Sequence, residues 1–353
     1  MTGTADAPVP AQQPGQAAAG RGKGLGKGRG KGRGTAPHVC ILMACWNGAP
    51  FLPEQLASLL EQTHSDWSLL VRDDGSTDRT PEIVAEFART HPGRDIRLIR
   101  GAGGQGSAAN FLTLLSDPDL PDGYIAFADQ DDVWMPDKIE RGLAGLVRAR
   151  GQSAPGGPSR PAVYASRTIL TDAALKPRRV STLHRRPPAF GNALVQNVLG
   201  GNTILLDPTA ANLLRASCAA ALAAGVPFHD WWVYQVITGA GGIAVNDPEP
   251  GLFYRQHEAN VLGAHRGLSG GRARLGMIRD RRYAGWIDCN LAALTRVADL
   301  LAPQERDRLE GFAALRRQKG GLGRALYLGR LGIHRQTRAG DLILRALALA
   351  GRL

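Results

Sequence analysis

Between residues 38 and 150 the sequence predicts an α/β fold on a mostly parallel sheet, and three observations carry that prediction. Short apolar runs alternate with stretches of helical periodicity, each run ends in a polar loop, and a proline stands near the start of most following helices. The strand candidates are Val39 to Ala44, Trp67 to Arg72, Ile96 to Arg100 and Tyr124 to Ala128. Between them Leu52, Leu56, Leu59 and Leu60 share one helix face, as do Ile83, Val84 and Phe87, then Ile139, Leu143 and Leu146. Pro53, Pro81 and Pro136 sit where a helix has a backbone N–H to spare. Ligands of such open sheets bind at the carboxyl ends of the strands.

Residues 151 to 161 read as a linker, Gly-Gln-Ser-Ala-Pro-Gly-Gly-Pro-Ser-Arg-Pro. The half that follows, 162 to 263, is mixed. Val163 to Thr168, Thr203 to Leu206 and Leu252 to Arg255 are strand-like, and helices are expected near Pro208 to Ala224 and His229 to Ala240. From 264 to 353 the chain is Arg-rich and helical, with apolar stripes at Leu291, Leu294 and Val297 and at Ile343, Leu344 and Leu347. That stretch is expected to form an extension to one catalytic domain.

Charge is spread unevenly. The net charge of the 353 residues is +12, yet residues 1 to 38 carry 6 basic and 1 acidic side chains, residues 265 to 353 carry 18 and 7, and the centre is slightly acidic. The glycine-alternating run Arg21 to Gly34 cannot bury enough apolar area to offset its chain entropy, so residues 1 to 37 are expected to be a disordered basic tail with no chemistry and no specific nucleic acid partner. Cys40, Cys45, Cys218 and Cys289 are too few and too scattered for a disulfide framework or a zinc site, which suggests a reducing, cytoplasmic setting. No run approaches the ~18 apolar residues that cross a bilayer, and no hydrophobic signal region is expected at the start. The basic C-terminal helices are the expected place for any peripheral membrane contact.

The chemistry concentrates at Asp129-Gln130-Asp131-Asp132-Val133, directly after the fourth strand candidate. Two like charges about 4 Å apart repel by roughly 4 kcal/mol at an effective dielectric of about 20, so three carboxylates at a strand mouth are costly unless a cation joins them. Mg²⁺ or Mn²⁺ would reverse the sign, and both prefer one or two carboxylates together with substrate phosphates. A second acidic loop, Asp73-Asp74-Gly75-Ser76-Thr77-Asp78, follows the second strand candidate and runs into Thr80-Pro81. Alone it reads as a capped turn. Carboxylates there can also accept hydrogen bonds from a nucleobase.

With these motifs in place the chain resembles family 2 glycosyltransferases of the GT-A, Rossmann-like fold. The resemblance rests on Cys45-Trp46-Asn47-Gly48, Asp73 to Asp78, Asp129 to Trp134, His229-Asp230-Trp231-Trp232 and Tyr254 to Asn260, in that order over residues 38 to 263. The last two motifs look like the branch described as rhamnosyltransferases of bacterial surface polysaccharides. The resemblance implies a nucleoside diphosphate sugar as donor, a glycan or lipid-linked acceptor, and inversion at the anomeric carbon. It implies that Asp73 and Asp74 lie against the base, Asp129 against ribose and metal, and Asp131 on the metal with His257 near it. Asp230 would be the general base, and Asn47, Asn110 and Trp134 would complete the donor's contacts. Trp134, Trp231 and Trp232 each fit sugar stacking and core packing equally well. Cys45-Trp46 and the glycine-rich Gly101 to Gly106 depart from the family pattern, which leaves the donor sugar open.

Three rival readings remain. Gly101, Gly103 and Gly106 spell the G-x-G-x-x-G of a dinucleotide site, with Asp129 about 23 residues beyond. That fingerprint normally follows the first strand of its unit, and here two βα units precede it. Asp129, Asp131 and Glu140 match calcium-loop positions 1, 3 and 12, but Val133 and Trp134 occupy a ligand position and the glycine position. A non-catalytic glycan-binding or scaffold descendant has no need to keep Asp230.

Overall fold

A computed structural model describes residues 36–151, 159–257, 281–318 and 320–353. Most of the basic tail, most of the linker, and residues 258–280, including Glu258-Ala259-Asn260 and the boundary expected near 264, lie outside the described residues.

Strands β1 (Val39–Cys45), β2 (Trp67–Asp73), β3 (Ile96–Arg100) and β4 (Tyr124–Asp129) pair in parallel, in the order β3-β2-β1-β4. Their crossovers carry α1 (Leu52–Leu60), α2 (Thr80–Thr90) and α3 (Gly106–Leu115). Beyond β4 come β5 (Val133–Trp134), α4 (Lys138–Gly151), β6 (Ala162–Thr171), β7 (Pro177–Val180), the single turn α5 (Phe190–Ala193), β8 (Leu205–Leu206), α6 (Pro208–Ala224), α7 (His229–Gly239) and β9 (Ile243–Arg255). They extend the same sheet as β4-β8-β6-β9-β5, where β8 is antiparallel to both neighbours, β9 runs parallel to β6, and β5 closes antiparallel on β9.

Alternation along the central strands builds two cores. Val39, Ile41 and Met43 of β1 with Ala126 and Ala128 of β4 face α1, α2 and α4. Cys40, Leu42, Ile125 and Phe127 face α3, α6 and α7. Burial on both faces is the reason these strands read as unbroken apolar runs.

The second half differs from its sequence reading in two places. β9 begins at Ile243, well before the expected Leu252, because Pro248 and Pro250 mask it in the sequence; the β6–β9 register shifts between Ser166 and Ile169, opposite those prolines. The expected strand Thr203 to Leu206 contracts to Leu205–Leu206, since Gly201–Thr203 form a 3₁₀ turn instead.

The C-terminal helices are α8 (Arg282–Arg296), α9 (Pro303–Arg317), α10 (Gly321–Arg330) and α11 (Arg338–Leu349). Ile287, Leu294, Phe312, Leu315 and Leu344 join the cluster of Phe190, Leu194 and Trp231. These helices are therefore integral to the core on that face. Among the described residues no helix is long and apolar enough to cross a membrane. Because Phe312 is fully buried in the shared core, Phe312→Ala should cost about 3–5 kcal/mol. In chemical denaturation the transition should move to lower denaturant and stay single.

Candidate functional site

The carboxyl ends of β1, β2 and β4 lie side by side, with Cys45 opposite Asp73 and Ala44 opposite Asp129. Three loops leave those ends and are tied together by side chains. Gln130 accepts from Trp46 N (2.8 Å) and donates to Trp46 O (2.9 Å). Asn47, in the left-handed region at φ 47°, accepts from Thr77 N at 2.9 Å while its own N–H donates to Ser76 Oγ at 2.8 Å. A Cβ at Gly48 would stand 2.3 Å from Gln130 Oε1, so a side chain there would displace the Gln130 amide that ties the loops together.

Asp73 and Asp74 are buried, and both carboxylates are engaged by the protein. Asp73 accepts from Ser76 N and lies 3.6 Å from Arg100 Nε. Asp74 accepts from Gln105 N at 3.2 Å and Gly106 N at 2.8 Å, at the first turn of α3. Its charge complements the helix dipole there. Asn110 is likewise internal: it accepts from Arg72 Nη1 at 2.6 Å and donates to Arg72 O at 3.0 Å, which locks the end of β2. Two N–H groups at the end of the glycine-rich loop, those of Gln105 and Gly106, which a dinucleotide reading would aim at a pyrophosphate, are thus taken by Asp74.

The acidic loop between β4 and β5 brings oxygens of Asp129, Asp131 and Asp132 within 4.8 Å of one another. Asp132 is buried and doubly held, by Asn202 Nδ2 at 2.5 Å and Arg255 N at 3.2 Å. The end of β9 folds over the loop. Arg255 Nε donates to Asp131 O at 2.8 Å, the guanidinium pairs with Glu54 and lies over Phe51, and His257 Nε2 sits 2.7 Å from Asp131 Oδ2. His257 also stacks on Phe51, 4.6 Å between ring centres.

Burial, then the charges of Asp131 and Asp230, push the Asp129 carboxyl up to about 8. Burial, then Asp131 and Asp129, raise Asp132 well above the usual range. Among the described residues no hydrogen bond reaches the Asp129 carboxylate. A cluster of oxygen donors this close, one of them without a protein hydrogen bond, suits a hard divalent cation. The residues present fit Mg²⁺ or Mn²⁺, with Asp129 and Asp131 offering oxygens and His257 positioned against Asp131.

Asp230 opens α7. Burial pushes it up to about 6, against the opposing hydrogen bonds of Trp231 N, Asn197 and Gly201. Beside it His229 is neutral, driven down to about 3 by burial; it stacks on Phe111 at 4.1 Å, and its buried Nε2 has no hydrogen-bond partner. The 3₁₀ turn joins the two acidic centres. Gly201 is so close to α7 that a Cβ would lie 2.8 Å from His229 Nε2 and 3.4 Å from Asp230 Cβ, while the next residue, Asn202, holds Asp132.

The tryptophans divide differently from expectation. Trp134 is 1% exposed under Lys138, whose Nζ lies 3.4 Å from the ring centre, so the structure does not bring it to the cleft. Trp231 and Trp232 are buried and donate to Ala193 O and Ser217 Oγ. Core packing claims all three. Trp46, which sequence reasoning passed over, stands 57% exposed where β1 meets the cleft; its place right after a central strand was the available signal. Asn202 and Arg255 were also missed, because their roles arise from pairing across 70 and 123 residues of chain. Asn202→Ala leaves a buried carboxylate oxygen without its donor and should cost about 1–3 kcal/mol, read as a lower midpoint in chemical denaturation.

A family model described as glycosyl transferase family 2 matches residues 40–163. The dTDP-rhamnosyl transferase RfbG of Shigella flexneri is 30% identical over 264 residues, spanning 74% of this chain and 84% of that protein. The UDP-Glc:alpha-D-GlcNAc-diphosphoundecaprenol beta-1,3-glucosyltransferase WfgD of Escherichia coli is 32% identical over 111 residues, 31% of this chain and 41% of that protein. Among solved structures, the mannosyltransferase PcManGT of Pyrobaculum calidifontis in complex with GDP-Man and Mn²⁺ aligns over 90% of this chain and 86% of its own, with a TM-score of 0.46 at 18% identity. With the motifs in order on the carboxyl edge of a mostly parallel sheet, and a relative at that identity over most of both chains, the chain belongs to glycosyltransferase family 2 and is a GT-A-type transferase.

Proposed function

We propose that this enzyme transfers a sugar, with rhamnose the leading candidate, from a nucleoside diphosphate donor to a glycan or lipid-linked acceptor in cell-surface polysaccharide synthesis, with inversion and with help from a divalent metal. The similarity to a dTDP-rhamnosyl transferase over most of both chains supports the donor assignment. The single observation that carries the mechanism is the pairing of a desolvated Asp230 with the Asp129–Asp132 cluster across the Gly201–Asn202 turn.

In this reading Asp129 and Asp131 would hold the metal, with His257 orienting Asp131. When bound, the metal supplies Lewis acidity that offsets charge on the departing phosphate oxygens. Asp230 takes the proton from the acceptor hydroxyl as its oxygen attacks the anomeric carbon, and the bond from that carbon to the diphosphate oxygen breaks on the opposite face. Burial makes Asp230 a stronger base than a solvated aspartate. Asp73, Asp74 and Asn110 shape the nucleotide end by fixing the loops, and Asn47 and Trp46 face the donor. The exposed ring of Trp46 is suited to stacking on the base.

Asp230→Asn should lower kcat by about 10²–10⁴-fold while the donor still raises the melting temperature in the presence of Mn²⁺. Retention of a near-normal rate would remove Asp230 as the base. Since Asp230 must be ionised and its carboxyl titrates at about 6, kcat/KM should rise with pH through about 6 and level off above it. Asp131→Ala should abolish the metal-dependent part of the donor's thermal shift. A panel of dTDP-, UDP- and GDP-sugars with and without Mn²⁺ reads out the donor, and a response to dTDP-rhamnose alone is expected.

A further inference from the structure

The last two helices leave an apolar surface that the core does not use. α10 buries Ala325 and Leu328 and α11 buries Leu344, Leu347 and Ala348, which seats the pair on the core. On their other faces Leu322, Leu326, Leu342, Ile343 and Leu349 are each at least half exposed. Six of the ten large apolar side chains exposed among the described residues fall between 322 and 349. Such concentration on one pair of helices is the mark of an interaction surface. The helices run past each other so closely that a Cβ at Gly321 would lie 2.4 Å from Leu349 O, which puts Leu322 beside the end of α11. Along α11, Leu342, Ala346 and Leu349 repeat at helical spacing on the face opposite Leu344.

The surroundings of that surface are basic. Residues 321 to 353 carry six arginines and one acid, Asp341, and that acid is already held by Arg186 Nη1 at 2.8 Å and Arg335 N at 2.6 Å. A half-open cavity of about 610 Å³ lies where α8 and α9 meet α10 and the C-terminus. Five arginines line it: Arg281, Arg296, Arg316, Arg317 and Arg324. Asp288 is the sole acidic side chain on its wall, and Arg316 is bound to it and to Leu353 O. Arg281, Arg296 and Arg317 have no acidic or hydrogen-bond partner among the described residues, and the buried Nε of Arg324 has none either. Leu291, Leu315 and Leu353 form the apolar part of the lining.

Unpaired guanidinium groups at an apolar-floored cavity call for a phosphate with a hydrocarbon neighbour. We propose that the cavity binds the phosphate headgroup of an anionic membrane lipid while Leu322, Leu326, Leu342, Ile343 and Leu349 enter the acyl region, so that α10 and α11 dock the enzyme on a membrane surface. Charge complementarity selects an anionic lipid surface over a neutral partner, and the two short helices carry exposed leucines as an interfacial anchor does. The proposal is independent of the sugar and of the assignment of Asp230.

Co-sedimentation of the full chain with vesicles tests it. Phosphatidylcholine vesicles containing about a third phosphatidylglycerol should bind at least tenfold better than phosphatidylcholine alone. The double variant Leu326→Gln, Leu342→Gln changes exposed positions only and leaves the net charge unaltered; it should lower the partition coefficient on anionic vesicles at least tenfold with an unchanged melting temperature. The pair Arg296→Gln, Arg317→Gln should weaken binding several-fold and flatten its salt dependence. Binding owed to the basic run from Arg21 to Gly34 would survive the leucine substitutions, so undiminished binding of that variant overturns the proposal. Equal binding to neutral vesicles also overturns it. So does sedimentation equilibrium in which the leucine variant turns a dimer into a monomer with vesicle binding unchanged, since the surface would then belong to a second copy of the chain.

Discussion

The acidic loop at the mouth of β4 holds three carboxylates that repel one another, and the folded chain spends hydrogen bonds from two separate segments, the turn at Asn202 and the end of β9, to keep them there. Two charges at about 4 Å cost roughly 4 kcal/mol at an effective dielectric of about 20, and burial adds to that, as the upward shifts of Asp129 and Asp132 register. Asn202 and the Arg255 backbone offset the cost at Asp132, and His257 offsets it at Asp131. Asp129 receives no such help among the described residues. The imbalance is local: Asp131 and Asp132 have protein partners, and the carboxylate that β4 itself delivers has none among the described residues. Strain of this kind in a cleft is a sign of function.

Everything that surrounds the cluster follows from strand register. Parallel pairing of β1 with β2 and β4 sets three strand ends level, so their loops meet and Gln130, Asn47 and Ser76 can tie them. The antiparallel turn-back through β8 then carries Asn202 to Asp132, and the long β9, parallel to β6, returns Arg255 and His257 to the same loop. Because α7 packs directly against Gly201, Asp230 is fixed relative to the cluster by a backbone contact that leaves no room for a side chain. Close packing of α7 on the Gly201–Asn202 turn therefore links the two acidic centres through backbone and one buried hydrogen bond.

Much of this was legible in the residues and some was not, for identifiable reasons. The first four strands and their helices could be read because burial on both faces leaves continuous apolar runs punctuated by polar loops and prolines. β9 could not, because Pro248 and Pro250 sit at register shifts that only pairing with β6 creates. The aspartates were found from their spacing. Their roles divided once partners were visible: Asp73, Asp74 and Asn110 are engaged by the fold, whereas Asp129 feels the charges of Asp131 and Asp230. Trp134 was misread because an aromatic next to an acidic motif looks the same in sequence whether it stacks on a ligand or lies under Lys138. Asn202 gave no signal at all, since nothing local marks an amide that pairs with a carboxylate 70 residues away.

The glycine-rich loop after β3 shows how the same local pattern can be diverted by one neighbour. A helix N-terminus with free N–H groups attracts anions, and Gly101 to Gly106 supply the backbone freedom that such a site uses, with Gly103 and Gly106 at positive φ. Asp74 arrives from the adjacent strand and satisfies Gln105 N and Gly106 N itself. A phosphate brought there would meet a buried carboxylate where it needs donors, and repulsion would exceed what the dipole offers. In the proposed mechanism the diphosphate of a donor would therefore lie away from α3, at the acidic loop of β4 that the Gly201–Asn202 turn links to Asp230.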